Sequence, residues 1–137
     1  FQDQEIDLVI GPATGGILVA YEVGRALGTK AIFAEREQGE MTLRRGFQLE
    51  SGQKVLVVED VITTGGSVKE VIDLVRAHGA EPIGVGVLVN RSGGKADFGL
   101  PLVSLLEMKI EAYEPEACPL CQEGLPAIKP GSRSLSK

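Results

Sequence analysis

The 137-residue chain contains no apolar stretch of about 18 residues, the length a helix needs to cross a bilayer, and it opens with no signal-peptide pattern. A cytoplasmic protein that makes no membrane contact is the expectation. A basic excess is also missing: 14 Lys and Arg stand against 19 Asp and Glu, for a net charge of −5. General nucleic-acid binding needs a basic face to displace counterions, so that class is excluded. An anionic small molecule is still compatible, where a site is locally positive or brings magnesium. Histidine and cysteine are scarce. His78 is the only imidazole, and Cys118 and Cys121 form a single C-x-x-C pair. A complete zinc site would need a second pair or a nearby His, and neither is present. Half a metal site, a redox pair and a plain structural or dimer-edge role all stay open for these two thiols.

What is present has globular composition, 43% hydrophobic and 24% charged, in a length suited to one domain. Phe1 is an unusual first residue and a first strand is expected already at residues 7–10, so a preceding N-terminal segment is expected. The core is expected over residues 1–108, with 109–137 as a C-terminal tail packed on or near it. DLVI at 7–10 reads as a short buried strand, closed by the glycine turn at 11–16, and 17–27 as an amphipathic helix stopped at Gly28. Residues 31–34 make a second strand. Residues 35–46 are charged and glycine-punctuated, and 45–49 (RGFQL) are expected as the returning arm of a hairpin. Further strands are expected at 54–58, 82–89 and 102–106, with a loop at Ser92-Gly93-Gly94. Strands alternating with helices make the class α/β, with a mostly parallel sheet.

The run Val57-Val58-Glu59-Asp60-Val61-Ile62-Thr63-Thr64-Gly65-Gly66-Ser67 carries the chemistry. A β-branched and aliphatic strand, 54–58, ends in two acids and opens into a hydroxyl- and glycine-rich turn. The helix that follows places Val68, Val71, Ile72 and Val75 on one stripe, with Ser67 expected as its N-cap and Gly79 as its stop. Such a turn converges backbone N–H groups on one point at a helix N-terminus, which makes an anion site. The nucleotide-triphosphate loop is excluded because that motif needs a Lys beside the Ser or Thr that opens the helix, and Ser67 stands between Gly66 and Val68. No G-x-G-x-x-G follows a strand, so a dinucleotide fingerprint is absent too. The turn Gly11-Pro12-Ala13-Thr14-Gly15-Gly16 repeats the strand, small-residue, helix order in weaker form.

Across its whole length the run at 57–67 resembles the phosphoribosyl-pyrophosphate (PRPP) signature of the type I phosphoribosyltransferases, and the likeness extends over about residues 7–108. The resemblance implies that fold: a mostly parallel central sheet with helices on both faces and a flexible loop. It implies that Glu59 and Asp60 contact the ribose hydroxyls, that Val61, Ile62, Thr63, Thr64, Gly65, Gly66 and Ser67 surround the 5′-phosphate, and that Thr14 and Gly15, in a strained loop, hold the pyrophosphate. Magnesium would arrive on PRPP, near Glu59 and Asp60, with no dedicated protein metal site. The charged hairpin corresponds to the family's mobile catalytic loop, so Arg36 is the candidate for the departing charge, with Arg44 and Arg45 as substitutes from the far arm. This loop departs from the family pattern: Glu35 and Glu37 flank Arg36, and the usual later Lys and His are missing.

Within the family, Thr63 resembles the orotate-specific branch, where 6-oxopurine enzymes carry an Asp. Arg91, at the end of the strand after the PRPP helix, stands where that branch places an Arg for orotate. The chemistry agrees, because a guanidinium offers a planar two-toothed grip on the orotate carboxylate. The resemblance thus implies an orotate phosphoribosyltransferase, a homodimer acting on PRPP and orotate. A transferase for a purine or another base, and a non-catalytic PRPP-sensing regulator on the same fold, are the alternatives.

Overall fold

The structure is a computed structural model that describes residues 1, 3–110 and 113–125. In chain order its elements are β1 (Leu8–Pro12), α1 (Gly15–Leu27), β2 (Lys30–Glu37), β3 (Glu40–Leu43), β4 (Lys54–Ile62), α2 (Gly66–Ala77), β5 (Glu81–Asn90), β6 (Leu102–Glu107), a 3-10 turn (Pro115–Ala117) and the short helix α3 (Pro119–Gln122). The strands form one sheet in the order β3-β2-β1-β4-β5-β6. All neighbours run parallel except β2 and β3, which form an antiparallel edge hairpin.

Alternate residues of the two central strands serve opposite helices. Leu8, Ile10, Val55 and Val57 pack with Val68, Val71, Ile72 and Val75 of α2, whereas Val9, Leu56 and Val58 pack with Ala20 of α1. Period-two strands covered on both faces must be apolar at every position, and β1 is buried throughout. Burying each of these aliphatic side chains is worth about 1.5–3 kcal/mol, which is what clamps both helices to the sheet. The helices therefore lie on both faces, and the α/β class expected from the sequence holds.

Several boundaries differ from the sequence expectation, each for a local reason. Strand β4 runs through the acid pair to Ile62, because β5 continues alongside it with Val61 opposite Val89 and Ile62 opposite Asn90. Helix α2 begins at Gly66, and its N-cap is Gly65 at φ 78°, not Ser67. The Thr64 hydroxyl accepts from the Gly66 N–H at 3.4 Å, so the turn closes two residues early. Its expected stop holds: Gly79, at φ 75°, follows the last turn and donates to Arg76 O at 2.9 Å. Helix α1 likewise starts at Gly15, and β1 extends to Pro12.

The returning arm of the hairpin is Glu40–Leu43, not 45–49. Gln38 (φ 52°) and Gly39 (φ 94°) both take positive φ, as a tight two-residue hairpin turn requires. Phe47 and Leu49 mimic a strand in sequence because both pack into the core from an irregular segment. In the C-terminal tail, the described side chains at 116–117 and 119–125 are exposed. Gly124 lies just after α3, while Pro126, Pro130 and Gly131 lie outside the described residues.

Candidate active site

The strand order reverses at the junction of β1 and β4, since β2 lies on one side of the pair and β5 on the other. In open α/β sheets, ligands bind at that switch point, beyond the C-terminal ends of the strands. The turn at 13–14 after β1 and the run at 59–67 at the end of β4 meet there. The second run faces the start of α1 directly. A Cβ added at Gly15 would collide with the Asp60 carboxylate, and one at Gly16 would lie 3.2 Å from Glu59 Oε1. At Gly15 a side chain would have to push the Asp60 carboxylate aside, while at Gly16 the tighter clash would be with Pro12 Cδ at 2.9 Å, so the glycine pair lets α1 start directly against the acids.

The acids differ in their surroundings. Glu59 is 8% exposed. Burial first, and then its contact with the Asp60 carboxylate, push the Glu59 pKa up to about 8, partly opposed by the Asp60 N–H, which donates to Glu59 Oε1 at 3.1 Å. Asp60 is more open, and its Oδ1 accepts the Val61 N–H at 2.7 Å. Glu59 also lines a cavity of about 60 Å³ with Val61, Ile62, Thr63, Gly65, Ser67 and Val68. The ring of Phe98, itself 8% exposed, seals the back of this loop: it lies 2.8 Å from where a Gly65 Cβ would be. Thr63 and Thr64 are exposed at the rim.

The turn after β1 is pinned to the neighbouring strand by Ala13 N–H donating to Ala34 O at 2.7 Å. The Ala13–Thr14 peptide is cis, and Thr14 is exposed at the N-cap of α1. Arg91 follows β5 directly. Its N–H donates to Ile62 O at 2.8 Å, which sets it beside Thr63. Asn90 Oδ1 accepts the Ser92 N–H at 3.0 Å and shapes that turn. A larger cavity of about 410 Å³ adjoins it, lined by Asn90, Gly93, Gly94, Glu107, Met108 and Lys109.

The basic hairpin is not gathered with these groups. Arg36 donates to Gly39 O at 2.9 Å and pairs with Glu70 of α2 at 2.7 Å. Arg44 faces Glu35 at 3.8 Å and Glu37 at 3.5 Å, and Arg45 pairs with Glu35 at 3.1 Å with its guanidinium 5.7 Å from the Phe33 ring. His78 Nδ1 bonds Leu74 O at 2.8 Å, a helix-end contact away from the acids. Sequence reasoning missed Gly16, Glu70 and Phe98. The doubled glycine was a signal for the first; the other two are brought in by tertiary contact alone.

A model of the phosphoribosyl transferase domain matches residues 1–108. The chain belongs to the phosphoribosyltransferase family. Among curated relatives, the orotate phosphoribosyltransferase of Caldanaerobacter subterraneus subsp. tengcongensis is 62% identical over 135 residues, covering 98% of this phosphoribosyltransferase and 71% of its own length. That of Desulforamulus reducens is 60% identical over 136 residues, covering 99% and 71%. Among solved structures, the orotate phosphoribosyltransferase of Aeropyrum pernix superposes with a TM-score of 0.64 at 29% identity, covering 77% of this chain and 62% of that one. An adenine phosphoribosyltransferase of Rhodothermus marinus superposes at 0.66 with 24% identity, covering 79% and 73%, a likeness of fold.

Proposed function

We propose that this phosphoribosyltransferase transfers the 5-phosphoribosyl group of PRPP to orotate, giving orotidine 5′-phosphate and pyrophosphate. The observation that supports the choice of base is that Thr63 and Arg91 directly follow the paired strand ends, where Ile62 stands opposite Asn90 and the Arg91 N–H donates to Ile62 O. Arg91 supplies a planar cation for the orotate carboxylate, and Thr63 a hydroxyl at the ring edge.

In the reaction the bond from ribose C1 to the pyrophosphate oxygen breaks, positive charge develops on the ribose, and a ring nitrogen of orotate forms the new bond from the opposite face. The residues of this chain bind and orient. Residues 63–67, at the start of α2, hold the 5′-phosphate, whose charge the first N–H groups of the helix favour. Asp60 and Glu59 hold the ribose hydroxyls, Thr14 and Gly15 the pyrophosphate, and Arg36 the departing charge once it leaves Glu70. Such positioning, with stabilisation of developing charge, is the main means of acceleration open to such a site.

Magnesium fits this donor set. Carboxylates and substrate phosphates are its preferred ligands, and Glu59 and Asp60 are an adjacent carboxylate pair. When bound, it neutralises pyrophosphate charge. A cytoplasmic homodimer completes the reading. No described helix is long and apolar enough to cross a membrane, and Leu18, Tyr21, Val103 and Leu105 leave apolar surface for a second copy to cover.

The test is pyrophosphate release with PRPP, magnesium and a panel of orotate, uracil, adenine, guanine and xanthine. Orotate alone should support turnover, and Arg91→Ala should abolish orotate use while PRPP binding stays near normal. Equal use of orotate by Arg91→Ala, or turnover with a purine instead, rejects the assignment.

A further inference from the structure

Cys118 and Cys121 are not among the residues lining the acid-pair cavity. Cys118 immediately precedes α3 and Cys121 is the third residue of that helix. The short turn is held by Gln122 N–H to Cys118 O, Gly124 N–H to Cys121 O and Leu125 N–H to Leu120 O, all at 3.1 Å. Both thiols are free; Cys118 is half-buried and Cys121 exposed. The turn thus presents two thiols three residues apart.

We propose that Cys118 and Cys121 are a reversible dithiol–disulfide pair that exchanges with low-molecular-weight disulfides, with Cys118 as the attacking sulfur and Cys121 as the resolving one. Their spacing places both sulfurs on one turn, the arrangement that lets one thiol stabilise the thiolate of the other. The two differ in character. The Cys121 N–H, then the Cys121 thiol and the Leu120 N–H, hold the Cys118 thiol below its ordinary value. The Cys121 thiol is raised, first by its contact with Cys118 and then by slight burial, the Cys118 charge and Glu116. Two backbone N–H groups, of Cys121 and Leu120, are thus directed at the Cys118 sulfur, which suits it to the attacking role.

In the first step the Cys118 thiolate attacks one sulfur of the external disulfide, forming a mixed disulfide and expelling one thiolate. Cys121 then loses its proton to solvent and attacks Cys118 Sγ, expelling the second thiolate. The external disulfide is reduced by two electrons to two thiols, and the protein pair is oxidised by two. Exposure at Cys121 gives solvent and reductant access for the reverse reaction.

The test uses the whole chain, reduced, freed of reductant and incubated with oxidised glutathione, with intact mass read over time. Wild type should lose two hydrogens and regain them with dithiothreitol. Cys121→Ser should accumulate a stable mixed disulfide on Cys118, and Cys118→Ser should react more slowly than Cys121→Ser. Stable glutathione adducts on wild type without an internal bridge, or Cys118→Ser reacting as fast as Cys121→Ser, would overturn the proposal.

Discussion

Gly15, at the first position of α1, lies directly against the carboxylate of Asp60 near the end of β4, in the space a side chain would need. The glycine turn after β1 and the acid pair are therefore held in one fixed relation. Gly15→Ala must push one of them aside. A displacement of about 1 Å at reacting groups costs roughly a hundredfold, so kcat/KM for PRPP should fall by about that factor. Thermal unfolding monitored on the same variant separates this from loss of fold; unchanged kcat/KM in a folded Gly15→Ala protein would show that the acids need no such register.

Glu59 gives the free protein a pH signature. Its carboxyl titrates near 4.5 when unfolded and at about 8 when folded, so between those values the native state binds more protons than the unfolded one. This contribution to stability is complete below about pH 4.5, declines as pH rises through that window, and is lost above about 8. Glu59→Gln should remove that part of the decline and gain relative to wild type as pH rises from 5 to 8. Urea denaturation at several pH values measures it, and parallel curves for the two proteins would refute the buried-acid account.

Arg36 and Glu70 form a half-exposed pair linking the hairpin to α2. Such a pair contributes only about 0–1 kcal/mol, so breaking it should change stability little. Arg36→Ala should nonetheless lower kcat by on the order of a hundredfold, as loss of a donor to developing charge does. Glu70→Gln should leave kcat unchanged or raise it, because it frees the same guanidinium. Steady-state kinetics on both variants decides this: equal losses from the two would make the pair a structural tie.

Much of the site was legible because its determinants are local. An aliphatic run followed by two acids and two glycines dictates a strand, a turn and a helix start whatever surrounds them. The strand boundaries were less legible, because β4 is prolonged past Asp60 by its pairing with β5, a long-range partner. The hairpin was misread for a similar reason: Phe47 and Leu49 carry a strand-like alternation, yet their burial comes from an irregular segment packed on the core. Ser67 looked like a cap because its hydroxyl suits one, but Gly65, free to take positive φ, and the Thr64 hydroxyl closed the turn first.

By itself, the order of residues determined the α/β class and the succession of strand, turn and helix over 54–78, since each rests on side-chain chemistry and short-range periodicity, while Thr63 and Arg91 were singled out by the resemblance to the orotate branch of the family. Tertiary structure alone decided that Glu59 is buried and protonates more readily than Asp60's neighbourhood would suggest from sequence, that Gly15 abuts Asp60, and that Arg36 rests on Glu70. Those relations join residues from different elements. Desolvation and steric contact between them arise only when the sheet order brings β1 beside β4 and sets the hairpin over α2.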